Sequence, residues 1–323
     1  MPNGQLPQSP FKFQIPAEGI YRVGPVGSGM FFTSIQDAID QAVADGYTDS
    51  SNPATVEVAP GSYTEDLALQ PGVNIGGMVQ TPGAVVVTGN HTYAVSNGAT
   101  RTQNSIGLVN MTLTVVNGVL LTMSGTAPTQ ITLNGVTLQK QSTGDATNVV
   151  LMSSSGASTR LRLNAGCTID PQVAAAVVCD VQNSCILEFR QRNTSIFSSN
   201  SVTIDTAVRL AGTAQLNVWG CDAWFGGPAT KIIDLQSATA VANIRHSGFQ
   251  NTLAGGHGVL YTAAGTARLR WTQIQMNTNV TGYIGFGAAG TFQQGSNVII
   301  GTNQQVQNTL TINTDASTVV ATP

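Results

Sequence analysis

The fold is decided by a short segment, Arg160-Leu161-Arg162-Leu163, in which polar and apolar residues alternate. Comparable four-residue segments start at residues 130, 186, 215, 241 and 268, so that successive starts advance by 26 to 30 residues. Alternation over a few residues is typical of a β-strand with one buried face. A strand that returns at a nearly constant interval indicates an internal structural repeat.

A second series of short apolar segments accompanies the first along the chain. Its members are 119–121, 149–151, 177–179, 208–210, 233–235, 259–261 and 284–286. Two strands in each repeat of 25 to 30 residues are typical of one coil of a parallel β-helix. Propeller blades are excluded because they use about 40 to 50 residues per repeat. The sequence therefore predicts an all-β fold in which each strand pairs with its equivalent one coil away.

The alternation assigns each side chain of the first series to one face of the predicted sheet. The inward residues are apolar in every copy examined, namely Leu161/Leu163, Leu187/Phe189, Leu216/Val218, Ala242/Ile244 and Leu269/Trp271. On the outward face, stacking places Arg162 beside Glu188. In the second series it places Arg209 beside Asp234. Opposite charges in register support this alignment, because like charges there would destabilise it.

The same alignment of the second series predicts an apolar stripe on the outer surface. Leu120, Val150 and Val178 are the central, outward residues of three successive segments. An exposed stripe of this kind requires cover. We therefore expect a homo-oligomer, and the alternative is that a loop of the same chain near Asp145 covers the stripe.

Composition excludes several classes of protein. Only 9% of the 323 residues are charged, the net charge is −3 and the lysines are Lys12, Lys140 and Lys231, so no basic footprint for nucleic acid is expected. No apolar run approaches the roughly 20 residues that cross a bilayer, and the first residues predict no signal peptide. The cysteines lack C-x-x-C or zinc spacing, so we expect buried thiols, no metal and no cofactor. They are Cys167, Cys179, Cys185 and Cys221.

Three regions follow from the pattern of residues along the chain. Residues 1–30 are rich in Pro and Gly and predict an extended N-terminal arm, which is a candidate anchor to a larger particle. Residues 31–301 predict the β-helix, with a capping α-helix at 34–45 that begins in a capping box from Thr33 to Gln36. Residues 302–323 leave the repeat and predict a tail that caps the last coil or pairs with a neighbouring chain.

The first coil resembles the pectin-lyase-like superfamily. The resemblance rests on Phe-Thr-Ser-Ile-Gln-Asp-Ala-Ile at 32–39, Val-Glu-Val-Ala-Pro-Gly-Ser-Tyr-Thr-Glu at 56–65 and Pro-Gly-Val-Asn-Ile at 71–75. It implies a right-handed single-stranded parallel β-helix with an N-terminal cap helix, as in pectin methylesterases and many viral tail spikes. Within it we expect Tyr63 to pack under the turn at Pro60 and Gly61. We expect Glu65 to bind backbone donors rather than perform catalysis.

Catalytic signatures are sparse. The Gly-Thr-Val-Asp-Phe-Ile-Phe-Gly-like block of pectin methylesterases is absent, and its nearest counterpart, Val178-Cys179-Asp180-Val181, lacks the flanking glycine and aromatic residues. A glycosidase needs two carboxylates about 5 to 10 Å apart. Asp180 and Asp205 are the weak candidates for such a pair, because they flank neighbouring strands of the second series. No catalytic residue is assigned beyond them.

Aromatic and arginine residues point to ligand binding. In the predicted register the outward Trp219 lies between Arg190 and Arg245 of the adjacent coils. This arrangement suits a sugar platform, and the alternative is a cation–π ladder that only holds the coils in register. Trp224 lies in a Gly-rich loop and is a further candidate for an exposed sugar contact.

Two functions from different classes fit these patterns. The first is a structural or adhesive protein, a homotrimeric spike, fibre or decoration protein of a virus, phage or related particle that binds a surface glycan or receptor. The trimer and the virion location are implied by the resemblance to viral β-helical spikes. The alternative is a polysaccharide-active hydrolase or lyase on the same fold, since one fold hosts many functions.

Overall fold

The computed structural model describes most of the chain from residue 19 onward. The described ranges are 19–174, 177–190, 202–221, 225–253, 257–261, 265–270, 273–276, 282–286, 291–294, 299–300 and 311–314. Helix α1 spans Ile35–Ala44, and a short 3-10 helix spans Pro82–Ala84. The described strands are, in chain order, β1 (Ile20–Val23), β2 (Ala54–Val58), β3 (Gly61–Thr64), β4 (Val73–Gly77), β5 (Val85–Thr88), β6 (His91–Val95), β7 (Ser105–Val115), β8 (Leu121–Gly125), β9 (Gln130–Lys140), β10 (Val150–Met152), β11 (Arg160–Leu163), β12 (Thr168–Pro171), β13 (Val177–Val181), β14 (Ile186–Arg190), β15 (Ile204–Leu210), β16 (Gln215–Trp219), β17 (Phe225–Gly227), β18 (Ala229–Leu235), β19 (Val241–Arg245), β20 (Gly248–Asn251), β21 (His257–Tyr261), β22 (Thr266–Arg270), β23 (Gln273–Met276), β24 (Gly282–Phe286), β25 (Thr291–Gln294), β26 (Ile299–Ile300) and β27 (Thr311–Thr314).

These strands form three parallel sheets that run along one coil axis. The long sheet has the order β1-β2-β4-β7-β9-β11-β14-β16-β19-β22-β25-β27, with β3, β5 and β12 paired beside this path. The second sheet has the order β24-β21-β18-β15-β13-β10-β8-β6, and the third has the order β17-β20-β23-β26. Each strand pairs with strands of neighbouring coils. The parallel β-helix predicted from the repeat is confirmed.

The inner face of the long sheet is a dry apolar stack. Leu161 of β11 lies opposite Leu187 of β14, which lies opposite Leu216 of β16. The inward residues are completely buried, as predicted: Leu161, Leu163, Leu187, Phe189, Leu216, Val218, Ala242 and Ile244. Trp271 of the predicted set lies outside the described residues. Each fully buried side chain of this size contributes about 1.5 to 3 kcal/mol from removal from water.

The cap helix lies where the sequence places it, with one correction to its start. Ser34 rather than Thr33 is the N-cap, and its side chain accepts a hydrogen bond from the backbone N–H of Asp37 at 3.1 Å. Gln36 instead donates to Asp40, four residues later, so the predicted capping box is wrong. A serine at this position satisfies the same orphan donors one residue further along. The buried face of α1 packs against β1, β2 and β4 at the end of the coil stack.

Glu65 closes the N-terminal end of this helix. Its carboxylate accepts hydrogen bonds from the backbone N–H groups of Ile35 and Gln36 and from the hydroxyl of Ser34, each at 2.9 Å. A carboxylate at a helix N-terminus is stabilised by the helix dipole. The hydroxyl of Tyr63 donates to the carbonyl of Ala59 at 2.8 Å, under the turn. Both expectations for this coil are therefore confirmed.

The predicted outward stripe of the second series is wrong. Val150 pairs with Leu121 and Cys179, and Leu151 rather than Val150 is aligned with Asp180. Leu120, Val150 and Val178 are completely buried and belong to the apolar core. These residues stand in runs of consecutive apolar residues with no alternation, so a register slip of one position goes unnoticed and assigns side chains to the wrong face. The stripe that motivated association therefore does not exist.

The sheet also continues into both flanking regions. Strand β1, at Ile20–Val23, lies within the predicted arm and pairs with β2, because Tyr21 and Val23 alternate into the core. Strand β27, at Thr311–Thr314, lies within the predicted tail and pairs with β25. Residues 1–18 lie outside the described residues, so the role of the arm as an anchor stays a prediction.

Candidate functional site

The outer face of the long sheet carries the candidate ligand-binding residues. Strands β11, β14, β16, β19 and β22 stack in sequence, so their outward residues form rows across the coils. One row is Arg162, Glu188, Asn217, Asn243 and Arg268, and the next is Arg190, Trp219 and Arg245. Neighbouring strands lie about 4.8 Å apart, so four steps from β11 to β22 span about 19 Å.

A single carboxylate in this face is surrounded by three arginines, and we name this group the arginine cluster. Glu188 lies 3.2 Å from the Nη1 atom of Arg160, 2.9 Å from the Nε atom of Arg162 and 3.3 Å from the Nε atom of Arg190. Glu188 is 1% exposed, although its side chain points to the outer face. The three arginine side chains bury it and keep one edge towards solvent. The predicted contact between Arg162 and Glu188 is confirmed.

Trp219 lies beside the arginine cluster in the register predicted from the sequence. The guanidinium carbon of Arg190 lies 4.4 Å from the centre of the Trp219 ring, within the range of a cation–π interaction. Trp219 is half-buried, and Arg245 on the next coil is exposed. The ring is therefore held on one side by Arg190. Trp224 lies outside the described residues, so its exposure stays a prediction.

The two catalytic candidates are not brought together. Asp180 of β13 is buried and lies opposite Arg209 of β15. Asp205 lies at the start of β15, four positions before Arg209, which corresponds to about 13 Å along a strand. Asp205 is exposed and lies 3.6 Å from the ammonium group of Lys231. This separation exceeds the spacing that a glycosidase pair uses.

Asp180 is held by an arginine. The Nε atom of Arg209 donates to Asp180 at 2.9 Å, its Nη2 atom donates to the second carboxylate oxygen, and Gln182 donates at 2.7 Å. The predicted register of Arg209 with Asp234 is confirmed, but the guanidinium binds the carboxylate on the other neighbouring coil. Arg209 stands between two carboxylates, and the hydrogen bonds that it donates to Asp180 raise the pKa of its guanidinium. Asp180 therefore acts as a structural anion.

A second charged group, the loop clamp, lies on the turn after β9. Lys140 is completely buried, and its Nζ atom donates to the Gly118 carbonyl at 2.7 Å as well as to Asp145 and Thr147. Asp145 also accepts from the backbone N–H of Gly118 at 2.9 Å. The hydrogen bond from Lys140 holds the pKa of Asp145 well below its usual range. The clamp ties the loop at 141–149 to the preceding coil.

Two features of these sites were missed at the level of sequence. Arg160 belongs to the deciding segment but was not assigned a role, although alternation places it on the same face as Arg162. Lys140 continues the inward series of Val136 and Leu138, so strict alternation already places its side chain inside. The signal was the periodicity itself, applied to charged residues as well as to apolar ones.

The cysteines are buried free thiols, as expected. Burial raises the pKa of Cys185 to about 11 and that of Cys179 further, which disfavours the reactive thiolate. Within the part of the chain that the structure describes, no group of three or more His, Cys, Asp or Glu side chains could hold a metal ion. No helix among the described residues is long and apolar enough to cross a membrane.

Some solved structures resemble this fold at low sequence identity. No family model matches the chain, and no curated protein matches it by sequence. Among solved structures, the pectin methylesterase from carrot is 12% identical, with 83% of this chain and 87% of that chain covered and a TM-score of 0.43.

Two further solved structures give the same picture. The pectin methylesterase from Aspergillus niger is 16% identical, with 85% of this chain and 86% of that chain covered and a TM-score of 0.38. ORF18 of Geobacillus virus E2 is 10% identical, with 83% of this chain and 59% of that chain covered and a TM-score of 0.39. At such identities the likeness concerns the fold and carries no statement about activity.

Proposed function

We propose that the chain is a non-catalytic adhesive β-helical protein that binds a surface glycan through the outer face of its long sheet. The observation that carries this proposal is the state of the carboxylates in the described part of the helical trunk. Asp180 is bound to Arg209, Glu188 lies in the arginine cluster, and Asp205 lies about 13 Å along the strand from the position that faces Asp180 and is paired with Lys231, which Asp234 shares. These described carboxylates act as structural anions, and the pair that hydrolysis requires is not assembled from Asp180 and Asp205.

The outer face itself supports binding. It combines a half-buried indole, guanidinium groups and the amides of Asn217 and Asn243, which is the mixture of flat apolar surface and hydrogen-bonding groups that suits a sugar ring. The side-chain amide of Asn243 donates to Asn217 at 2.9 Å, so these groups are ordered across two coils. A pre-ordered face loses little conformational entropy on binding.

The particle context and the trimer belong to the same proposal. The location on a virion or related particle rests on the resemblance of residues 32–75 to viral β-helical spikes. The homotrimer no longer has the support of an outward apolar stripe and rests on that resemblance alone. Light scattering coupled to size-exclusion chromatography tests it. A stable trimer at low micromolar concentration supports the trimer, and a stable monomer removes it while leaving glycan binding to be decided separately.

Binding and turnover assays decide between adhesion and catalysis. The protein is incubated with neutral and acidic polysaccharides, and retention on the immobilised polymer and release of reducing or unsaturated ends are both measured. We expect retention without product, and the same retention in Asp205→Asn, whose exposed carboxylate lies outside the proposed face. Product formation that disappears in Asp180→Asn or Asp205→Asn, with both variants folded by circular dichroism, overturns the proposal in favour of the polysaccharide-active enzyme.

A further inference from the structure

Charge in the arginine cluster is unbalanced. Three guanidinium groups surround the one carboxylate of Glu188, at 3.2, 2.9 and 3.3 Å. A carboxylate offers about four lone-pair sites, whereas three guanidinium groups carry fifteen N–H donors. Glu188 therefore offers fewer acceptor sites than its three partners have donors. The cluster keeps an excess of positive charge at an edge that solvent reaches.

Buried donors lie in and beside the cluster. The Nε atom of Arg160 and the Nε1 atom of Trp219 are shielded from solvent and make no hydrogen bond to the described residues, whereas the Nε atom of Arg190 lies 3.3 Å from Glu188. Burial lowers the pKa of Arg160, and the neighbouring arginines, including Arg101, act in the same direction against the attraction of Glu188. An anion at the exposed edges of these guanidinium groups would add counter-charge that Glu188 alone does not supply.

The excess of positive charge continues along the outer face of the long sheet. The strands β11, β14, β16, β19 and β22 contain six arginines and one glutamate, whereas the whole chain has a net charge of −3. These arginines alternate with amides rather than with acidic residues. The side chain of Arg268, three coils beyond the cluster, donates to the Asn243 amide oxygen at 3.3 Å. A positive strip on an otherwise acidic protein raises the local concentration of anions.

We propose that the arginine cluster is an anion subsite that makes this face selective for glycans bearing carboxylate or sulfate groups. The inference rests on the proposed glycan-binding function and names its ligand class. One anionic group sits at the solvent edge of Arg160, Arg162 and Arg190, where it accepts charge-assisted hydrogen bonds. The adjoining sugar ring lies against Trp219, and its hydroxyls meet the amide of Asn243, which is partly exposed. Planar guanidinium groups suit both carboxylate and sulfate oxygens.

Nucleic acid is the competing polyanion, and the observations favour a glycan over it. A nucleic-acid footprint uses clustered basic residues along a backbone track, on a domain of basic overall charge. Here the sequence isoelectric point is about 5.5, and one aromatic ring stands among amides rather than along a track of basic residues. Single-stranded DNA is therefore an arm of the test.

Equilibrium binding of the full chain to four polymers tests the inference. Dextran and dextran sulfate share one backbone and differ in charge, alginate supplies carboxylates, and a single-stranded DNA oligonucleotide supplies phosphates. We expect measurable binding to dextran sulfate or alginate, at least about tenfold weaker binding to dextran, and weakening with added salt. Arg162→Gln should lower the affinity for the anionic glycan about tenfold, because one charge-assisted bond is lost while Glu188 keeps two arginines.

Arg22→Gln is the matched control. Arg22 on β1 pairs with Glu57 and has a half-exposed side chain. It lies five strand steps, about 24 Å, from Arg162 along the long sheet, so Arg22→Gln makes the same charge change outside the arginine cluster. The affinity of Arg22→Gln for the anionic glycan should equal that of the wild type. Equal loss in Arg22→Gln and Arg162→Gln overturns the subsite, since net charge alone then explains binding.

The four polymers also distinguish failure of the anion subsite from failure of the proposed glycan-binding function. Equal binding to dextran and dextran sulfate overturns the anion subsite and leaves the adhesive function standing. Tighter binding to DNA than to the anionic glycans overturns the subsite in favour of nucleic acid. Retention of none of the polysaccharides overturns both the subsite and the proposed function. Loss of affinity in Arg162→Gln with unchanged Arg22→Gln supports both.

Discussion

The loop clamp and the arginine cluster both gather charge onto the coils, but they differ in stoichiometry. In the clamp, one completely buried ammonium group meets one carboxylate, one carbonyl and one hydroxyl, so that the positive group has an acceptor in every direction. In the cluster, three guanidinium groups share one carboxylate and keep donors to spare. The clamp has no hydrogen-bonding position left for a ligand, whereas the cluster has donors with which it can bind one.

This difference teaches how a fold with few charges uses them. A buried charge is tolerated where each of its hydrogen-bonding positions is satisfied. The clamp meets that condition and therefore needs nothing from outside the chain. The cluster does not meet it, which is the physical reason to assign binding to the outer face of the long sheet. The following substitutions are chosen to break or sharpen this contrast.

The largest effect is expected from Lys140→Ala. The substitution removes a completely buried side chain and leaves the Gly118 carbonyl without its ammonium donor. We expect the free energy of unfolding to fall by about 3 kcal/mol, as for other large-to-small changes in a core. Urea denaturation followed by circular dichroism measures it. Lys231→Ala is the control, because its ammonium group is partly exposed and lies 3.6 Å from its carboxylates, and it should cost at most about 1 kcal/mol.

Equal losses of unfolding free energy in Lys140→Ala and Lys231→Ala would contradict the comparison, because burial and satisfied hydrogen bonds would then make no difference to stability. Affinity for the anionic glycan is the second readout. It should be unchanged in folded Lys140→Ala, since the clamp lies on a turn and not on the outer face of the long sheet.

Glu188→Gln comes next. Three arginines lose their shared counter-charge, yet their side chains are 17%, 21% and 33% exposed, so solvent screens part of the repulsion. We expect a loss of about 2 kcal/mol in the free energy of unfolding, below that of a fully buried pair. Sulfate ions should restore more stability than chloride at equal ionic strength, because a divalent anion takes the place of the carboxylate. A variant as stable as wild type in the absence of sulfate would show that the cluster carries no excess charge.

Sequence reasoning reached the fold because alternation within the first series is strong. Leu161, Leu187 and Leu216 occupy the same position in three successive copies, and in each copy polar residues alternate with the inward apolar ones. A register shifted by one residue would turn these leucines outward, so the alternation fixes the register. The same register then placed Trp219 beside Arg190 and Arg162 beside Glu188. These contacts follow from strand pairing alone, without knowledge of any loop.

The second series shows where this reasoning ends. Val177-Val178-Cys179 is an uninterrupted apolar run, and a run without alternation has no preferred face, so its alignment with Val150 slipped by one position and produced an outward stripe that the core in fact buries. The choice of Arg209 between Asp180 and Asp234 depends on side-chain conformation. Both carboxylates lie one coil away, so no sequence pattern distinguishes them.

Asp145→Asn probes the clamp through pH. The hydrogen bond from Lys140 holds the pKa of Asp145 below that of the unfolded chain, which is about 3.9. The unfolded state therefore binds more protons, and the stability that Asp145 contributes is complete above about pH 5 and declines as the pH falls through the depressed folded pKa. In Asp145→Asn the acid limb of the stability profile should be shallower between about pH 4 and 2. Urea denaturation across this range measures it.

A double-mutant cycle is the control for that experiment. In a Lys140→Ala background the partner is gone, so adding Asp145→Asn should change the acid limb much less than it does in the wild type. An unchanged effect would mean that the depressed pKa of Asp145 comes from the loop backbone rather than from Lys140.

The smallest effects separate the two arginines that flank Trp219. Arg190 stacks on the ring at 4.4 Å and touches Glu188, whereas Arg245 on the opposite side is exposed. Arg190→Ala should lower the free energy of unfolding by about 1 kcal/mol, and Arg245→Ala should change it by less than about 0.5 kcal/mol. Because Arg245 contributes little to stability, a reduced affinity for anionic glycan in Arg245→Ala at unchanged stability extends the binding face to the coil beyond Trp219. Unchanged affinity confines that face to the arginine cluster and the indole.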